Sequence, residues 1–357
     1  MTTLIFLIVL AVLIFVHELG HFLFAKACGI RVDAFAIGFG PKIFSKKVGE
    51  VVYSLNLIPF GGYVKIFGEN PDDESINGED KARSFVHKPK LQQISVLFAG
   101  ILFNLIFAWI LATVAFTFGV ATSADSYPEY RDRMTDSSIT ITFVNAGSPA
   151  QKSGLKAGDV LLVKSVEDTQ KLINESAGKE VTLKYIRSGV KSETKVIAEK
   201  GIVENKYAIG ISMENVSILR LPIHLAFVEG FKFTNNMITA TIFGIYDLFA
   251  GMFNGQSKLS SVTGPIGIAG LVGDAAKLGF TYLLMFTAVI SINLGILNAV
   301  PFPALDGGRI LFVIIEAIIR RPIKPVIANT INAIGFGLLI LLMVVVTYKD
   351  IVKLFIK

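Results

Sequence analysis

The chain has 357 residues, of which 52% are hydrophobic and only 17% charged, and its mean hydropathy is +0.61. Soluble globular domains carry about 25% charge, so the composition excludes a purely cytosolic domain, a disordered chain and a nucleic-acid tail, and implies an integral membrane protein with a polar part attached. The net charge of +6 is spread over scattered Lys and Arg, which membrane topology explains without nucleic acid, and the single cysteine, Cys28, excludes an intrachain disulfide and a cysteine-cluster metal site.

A membrane span needs about 20 apolar residues. Residues 4–24 qualify, interrupted only by His17, Glu18 and His21. The segment lacks a basic n-region, and three ionisable residues in its second half do not suit a signal peptide; it reads as a retained helix. Residues 33–68 follow, with Gly38-Phe39-Gly40, then Val51 to Leu55, then Pro59-Phe60-Gly61-Gly62-Tyr63-Val64. This pattern predicts a β-hairpin beside the membrane. It is either a plain cytosolic loop or a sheet edge that accepts an extended peptide. Residues 69–80 (ENPDDESINGED) read as a mobile, solvated acidic loop. Residues 94–120 form the second, uncharged span.

Residues 139–214 read as a small β-rich domain, with strands at 139–144, 160–163 and 181–186 and a short helix at 167–177. The run SPAQKSGLKAGDVLL resembles the signature of bacterial PDZ domains; the plainer alternative is a generic β domain without a peptide groove. Residues 223–254 are apolar but carry Glu229, Lys232 and Asp247, and the uncharged stretch 233–246 is too short to cross. They predict an amphipathic helix lying at the interface. The third and fourth spans are 278–301 and 326–347.

Short basic loops stay in the cytoplasm. Lys26, Arg31, Lys42, Lys46 and Lys47 follow the first span, Lys81, Arg83, Lys88 and Lys90 precede the second, and Arg309, Arg320, Arg321 and Lys324 separate the third and fourth. Both termini and the long segment 121–277 are then outside. Four regions result: 1–120, a membrane domain with the hairpin; 121–222, extracytoplasmic; 223–277, interfacial helix and connector; 278–357, a second membrane domain.

The motif that carries chemistry is His17-Glu18-Leu19-Gly20-His21. On a helix, positions i and i+4 share a face, so two imidazoles can hold one Zn²⁺, with Glu18 beside them to deprotonate its water. Ionisable residues in an apolar helix cost about 2.5–3.5 kcal/mol each even on a lenient scale, so a lipid-facing helix would not carry three. A polar helix–helix contact is the simpler explanation for one histidine, and fits poorly for His, Glu and His at ligand spacing. A catalytic zinc needs a third protein ligand. His87 lies in a basic loop and His224 outside the membrane; Asp306, in NAVPFPALDGG (298–308), closes an uncharged span. Asp306 could instead cap the helix that follows, but with two ligands short of a third the metal is the better partner. With four spans His17, His21 and Asp306 share the cytoplasmic depth. A fifth span at 223–254 would separate them.

These motifs together resemble the site-2 protease family of intramembrane zinc metalloproteases, in its bacterial form with a single PDZ domain. VHELGHF, GFGP, IPFGGYVK, TGPIGIAG and NLGILNAVPFPALDGG carry the resemblance along nearly the whole chain. It implies an α-helical polytopic protein with four transmembrane helices, a membrane-associated β-hairpin and an inserted extracytoplasmic PDZ domain, in the bacterial inner (cytoplasmic) membrane. It implies His17, His21 and Asp306 as zinc ligands and Glu18 as the catalytic residue. Asn293, Asn298, Asn104, Tyr53, Gly61 and Gly62 are the expected substrate-binding positions. The expected function is regulated intramembrane proteolysis of single-span proteins, such as anti-sigma factors or remnant signal peptides. The expected partners are the transmembrane segment of a substrate, the lipid bilayer, and a peptide or C-terminus at the PDZ domain, with no nucleic acid. That domain would exclude substrates with bulky outer portions or hold a freshly exposed C-terminus. Two alternatives are a catalytically silent, PDZ-containing binding protein and a metal transporter. An intact HExxH argues against the first. The convergence of polar residues on one end of two spans, without an internal repeat, argues against the second.

Overall fold

The computed structural model describes residues 2–123, 125–187, 189–203, 206–253 and 263–355. Residues 254–262, in the expected connector, lie outside these. The chain divides into two compact units, one of residues 1–113, 227–276 and 283–357, the other of 114–226 and 277–282.

The first unit begins with α1 (Thr2–Ala27), a run of Leu, Ile, Val and Phe with no Gly or Pro before Gly20. At about 1.5 Å per residue such a helix exceeds the about 30 Å hydrocarbon thickness. Next come β1 (Val32–Val48) and β2 (Val51–Ile66), paired with each other. Both bend. Residues 42–48 pair with 51–56, while Ala34 to Ile37 pair both with Val52 to Leu55 and with Gly62 to Lys65. The spatial order is therefore 42–48, 51–56, 34–37, 62–66. Its two outer segments are 42–48 and 62–66; Val52 and Tyr53 lie inside, paired on both sides.

The acidic segment, expected to be mobile, is folded. It contains α2 (Asp73–Asn77), closed by a capping box between Asp72 and Ser75. Arg31 holds it in place: the guanidinium donates to Asp33 (2.9 Å), Asp80 (2.8 Å) and Glu74 (3.3 Å) and lies 3.6 Å over the Phe67 ring. Nearby, donation from Arg83, and then from Lys26, holds the Glu50 carboxyl down at about 2. α3 (Lys90–Phe118) is one continuous apolar helix.

The second unit carries β3 (Val120–Ser123), β4 (Met134–Val144), α4 (Pro149–Lys152), β5 (Val160–Leu161), α5 (Val166–Glu175), β6 (Glu180–Arg187), β7 (Val190–Ile197), β8 (Glu199–Val203), β9 (Lys206–Ala208) and β10 (Ile211–Leu219). Six strands form one antiparallel sheet in the order β3-β10-β4-β5-β6-β7, and β8 pairs with β9. Its core joins Ile139, Ile141, Leu161, Ile173, Leu183 and Ile209. Asp159 is buried there, accepting from Arg187 through both oxygens at 2.6 Å and from the Lys156 N–H at 2.8 Å. Removing Arg187 would leave the buried carboxylate short of its charged partner. Residues 211–215 of β10 pair with β4 alone, because β3 reaches only residues 216–219, and α5 packs against β9 and β10.

The remaining elements are α6 (Ile223–Phe253), α7 (Pro265–Leu278), α8 (Phe280–Ala299), α9 (Asp306–Ile319) and α10 (Pro325–Phe355). In the first unit, Val9 and Leu13 of α1 pack with Val272 of α7, Phe107 of α3 and Phe286 of α8. Phe233, Met237 and Ile238 of α6 pack on Ala108 of α3 and Ala288 and Ile292 of α8. One face of α6 is thus packed on other helices, and its charges Glu229 and Lys232 pair with each other at 2.7 Å. Among the described residues four helices are long and apolar enough to cross a membrane: α1, α3, α8 and α10. The chain is a polytopic integral membrane protein.

Candidate metal centre

The three expected ligands meet although α9 begins 285 positions after His21 (306 − 21). His17 and His21 face the same way from α1, their ring centroids 4.8 Å apart. Their Nε2 atoms are 3.2 Å apart. Asp306 Oδ2 lies 3.1 Å from His17 Nε2 and 3.4 Å from His21 Nε2. Donors at about 2.0–2.1 Å from a tetrahedral zinc are separated by roughly 3.3 Å, so all three edges fit. The chemistry fits as well. His21 Nδ1 lies 2.8 Å from the Val96 carbonyl and donates to it, which leaves a lone pair on Nε2. Asp306 Oδ2 is buried and takes no hydrogen bond. Lone pairs and negative charge converge on one point, as a divalent cation requires. Among the described residues no other group of three His, Cys, Asp or Glu side chains gathers in this way. His87 instead approaches the Ile76 carbonyl at 2.9 Å.

Asp306 does not cap its helix. It is the first residue of α9, and the capping position is Leu305, with no side-chain bond to the helix. What brings Asp306 under α1 is the tight exit from α8. Cβ atoms on Gly307 or Gly308 would strike the carbonyls of Ala299, Val300 and Phe302. Ala304 adopts a positive φ of 75°, and its N–H donates to Asn332 of α10 at 3.2 Å.

Two further glycines bring α3 against α1. A Cβ on Gly20 would collide with the Ala99 carbonyl, and one on Gly100 with the rings of both His21 and His17. Overpacking costs about 1–3 kcal/mol, so Gly100→Ala is expected to weaken zinc binding about tenfold or more. Competition against a chelator measures this; unaltered affinity would show that α3 can move away freely.

A cavity of about 520 Å³ adjoins the metal ligands and Glu18. The segment from Tyr63 to Asn70 lines it, with Arg31, Asp33, Ala304 and Arg309. Arg309 pairs with Glu69. The outer segment of the β1–β2 sheet, not its interior, therefore borders the site. Gly62 has no room for a side chain: a Cβ would meet the Ala36 carbonyl, and Ile14 and Glu18 lie just beyond. Gly61, at φ 106°, lies under the Phe39 ring.

The other expected substrate positions are elsewhere. Tyr53 packs against Phe22 and Phe35 and does not line the cavity, whereas Tyr63 to Ile66 do. Asn293 accepts from Thr241 of α6 at 2.7 Å. Asn298 lies near the end of α8, outside the cavity lining. Asn104 is fully buried against His17 rather than exposed to a substrate. Sequence reasoning missed Val96, Gly100 and Asn332. Only Gly100 left a trace, in the Gly100-Ile-Leu-Phe-Asn104 motif.

The sequence signature of peptidase family M50 matches residues 5–342. A Clostridium perfringens protein, named as a candidate zinc metalloprotease, is 36% identical over 356 residues, covering 97% of each chain. A Clostridium acetobutylicum relative of the same description is 34% identical, covering 96% of this chain and 94% of its own. The zinc metalloprotease RasP of Shouchella clausii is 30% identical over 99% of each chain.

Proposed function

The chain belongs to peptidase family M50 and is a zinc metalloprotease of the site-2 protease type, and we propose that it cuts single-span membrane proteins within their apolar segment, with His17, His21 and Asp306 holding the zinc. The observation that carries this reading is the triangle of Nε2, Nε2 and Oδ2, with edges of 3.1–3.4 Å, built on an apolar helix. Zinc in such a site supplies a Lewis acid that polarises the scissile carbonyl and lowers the pKa of water toward about 7. Glu18, next to His17 on α1 and lining the same cavity, takes the proton from the attacking water. As the carbon–nitrogen bond breaks, Glu18 returns that proton to the leaving amine. A silent binding protein would not need Glu18 beside an intact ligand set.

A peptide bond inside a helix is already hydrogen-bonded, so the substrate must unwind before attack. The segment 62–66 offers an outer sheet edge along the cavity. Pairing there would replace the backbone bonds lost on unwinding. A photo-crosslinker at Tyr63 or Lys65, in a Glu18→Gln background, is expected to capture the substrate span, while one at Tyr53 is not. Capture at Tyr53 alone would move the docking surface.

We read the second unit as a PDZ domain from the order of SPAQKSGLKAGDVLL on α4 and β5. A peptide C-terminus would add along residues 211–215 of β10, whose one strand neighbour is β4 and which α5 packs against. The protein would reside in the cytoplasmic membrane with its metal centre toward the cytoplasm. Arg31, Lys65, Glu69 and Arg309 line the cavity beside the ligands, which suits access from water at that end.

A further inference from the structure

Asn104 lies on α3, fully buried, in the second span rather than in either motif that supplies the ligands. Its Nδ2 is 3.2 Å from His17 Nδ1. Its Oδ1 is buried, and among the described residues no donor reaches it. Its backbone carbonyl accepts from Ser291 of α8 at 2.7 Å, and Ser291 is itself fully buried. Asn104 therefore links α8, α3 and α1 at Nδ1, the ring nitrogen of His17 that is not part of the metal triangle.

The donor count at this contact decides its role. His17 Nε2 faces Asp306 and His21. If Nε2 ligates the metal as a neutral imidazole, Nδ1 must carry the proton. Two donors, Nδ1–H and the amide NH₂, would then face each other while the amide oxygen has no donor. The two ends of a carboxamide have nearly the same shape, and which end points where is assigned from the hydrogen-bond network. Turning the Asn104 amide end for end corrects both faults: Oδ1 accepts from His17 Nδ1–H and no buried acceptor is left over.

We infer that Asn104 is a positioning residue for the metal centre, its amide oxygen accepting the His17 Nδ1 proton as the Val96 carbonyl accepts that of His21. The two histidines thus have separate acceptors on one helix, one from backbone and one from a side chain, eight positions apart (104 − 96). α3 fixes both ring tautomers, and Ser291 steadies the turn of α3 that carries Asn104. The inference rests on His17 being a ligand, and its test separates the two claims.

The test measures zinc dissociation by chelator competition on the full-length protein in detergent, with His17→Ala, Asn104→Leu and Asn104→Asp beside wild type. Loss of an outer partner weakens metal binding about 10–100-fold, so Asn104→Leu is expected to fall in that range. Asn104→Asp keeps an acceptor at Nδ1 and is expected to hold zinc at least as tightly as wild type. A role in packing alone would not distinguish acceptor from apolar replacement in this way. His17→Ala should lose zinc outright. If Asn104→Leu holds zinc as wild type does, or if Asp weakens it as much as Leu, the inference is overturned. If His17→Ala retains full zinc, the ligand assignment itself fails.

Discussion

Asp306→Ala is expected to empty the zinc site, with affinity falling by more than the about 10–100-fold that loss of an outer hydrogen-bond partner costs. Asp306 supplies one of three donors, and its Oδ2 lies 3.1 and 3.4 Å from the two histidine nitrogens. No described carboxylate, imidazole or thiol stands close enough to replace it. His17→Ala and His21→Ala should do the same, while His87→Ala should change nothing, since that ring is exposed beside the Ile76 carbonyl. Metal analysis of the purified variants reads this directly. Full zinc content in Asp306→Ala would remove Asp306 from the ligand set and return it to a purely structural role at the start of α9.

Glu18→Gln separates metal binding from chemistry. The amide has nearly the same shape and sits outside the donor triangle, so zinc content and fold should match wild type. It cannot accept the proton of the attacking water, and general-base catalysis is worth about 10²–10⁴-fold. Cleavage should fall by at least that factor. A variant with normal zinc and near-normal turnover would mean that another group takes the proton.

What the sequence made legible and what it hid differ in range. HExxH could be read because its geometry is local: positions i and i+4 on a helix share a face whatever surrounds them. Asp306 could be reached by counting spans, because depth in a bilayer relates residues far apart in sequence. The supports of the site were hidden. The acceptor for His21 is the Val96 backbone carbonyl, which no side-chain pattern marks. The clearance at Gly100 depends on which faces of α1 and α3 meet.

The hairpin shows the limit for sheets. Alternation and glycines mark its existence, but β1 and β2 each bend, and only their register shows that 62–66 is outermost while Tyr53 has a strand partner on both sides. The acidic segment misled for a similar reason. Its charge density suggested solvation, and one cation 43 and 49 positions away gathers Glu74 and Asp80 into a folded turn. For α6, charge pointed away from a span, and α6 is not among the four described helices long and apolar enough to cross; what the charges did not reveal is that Phe233, Met237 and Ile238 pack on α3 and α8.

Intramembrane proteolysis is defined by where the bond is cut and by what. The most direct measurement reconstitutes the purified protein in liposomes with a single-span substrate and locates the cut by mass spectrometry of both fragments. Wild type is predicted to cut within the apolar span, and both chelation of zinc and Glu18→Gln to stop that cut. A cut confined to the soluble flanks, or one that persists in Glu18→Gln, would contradict it.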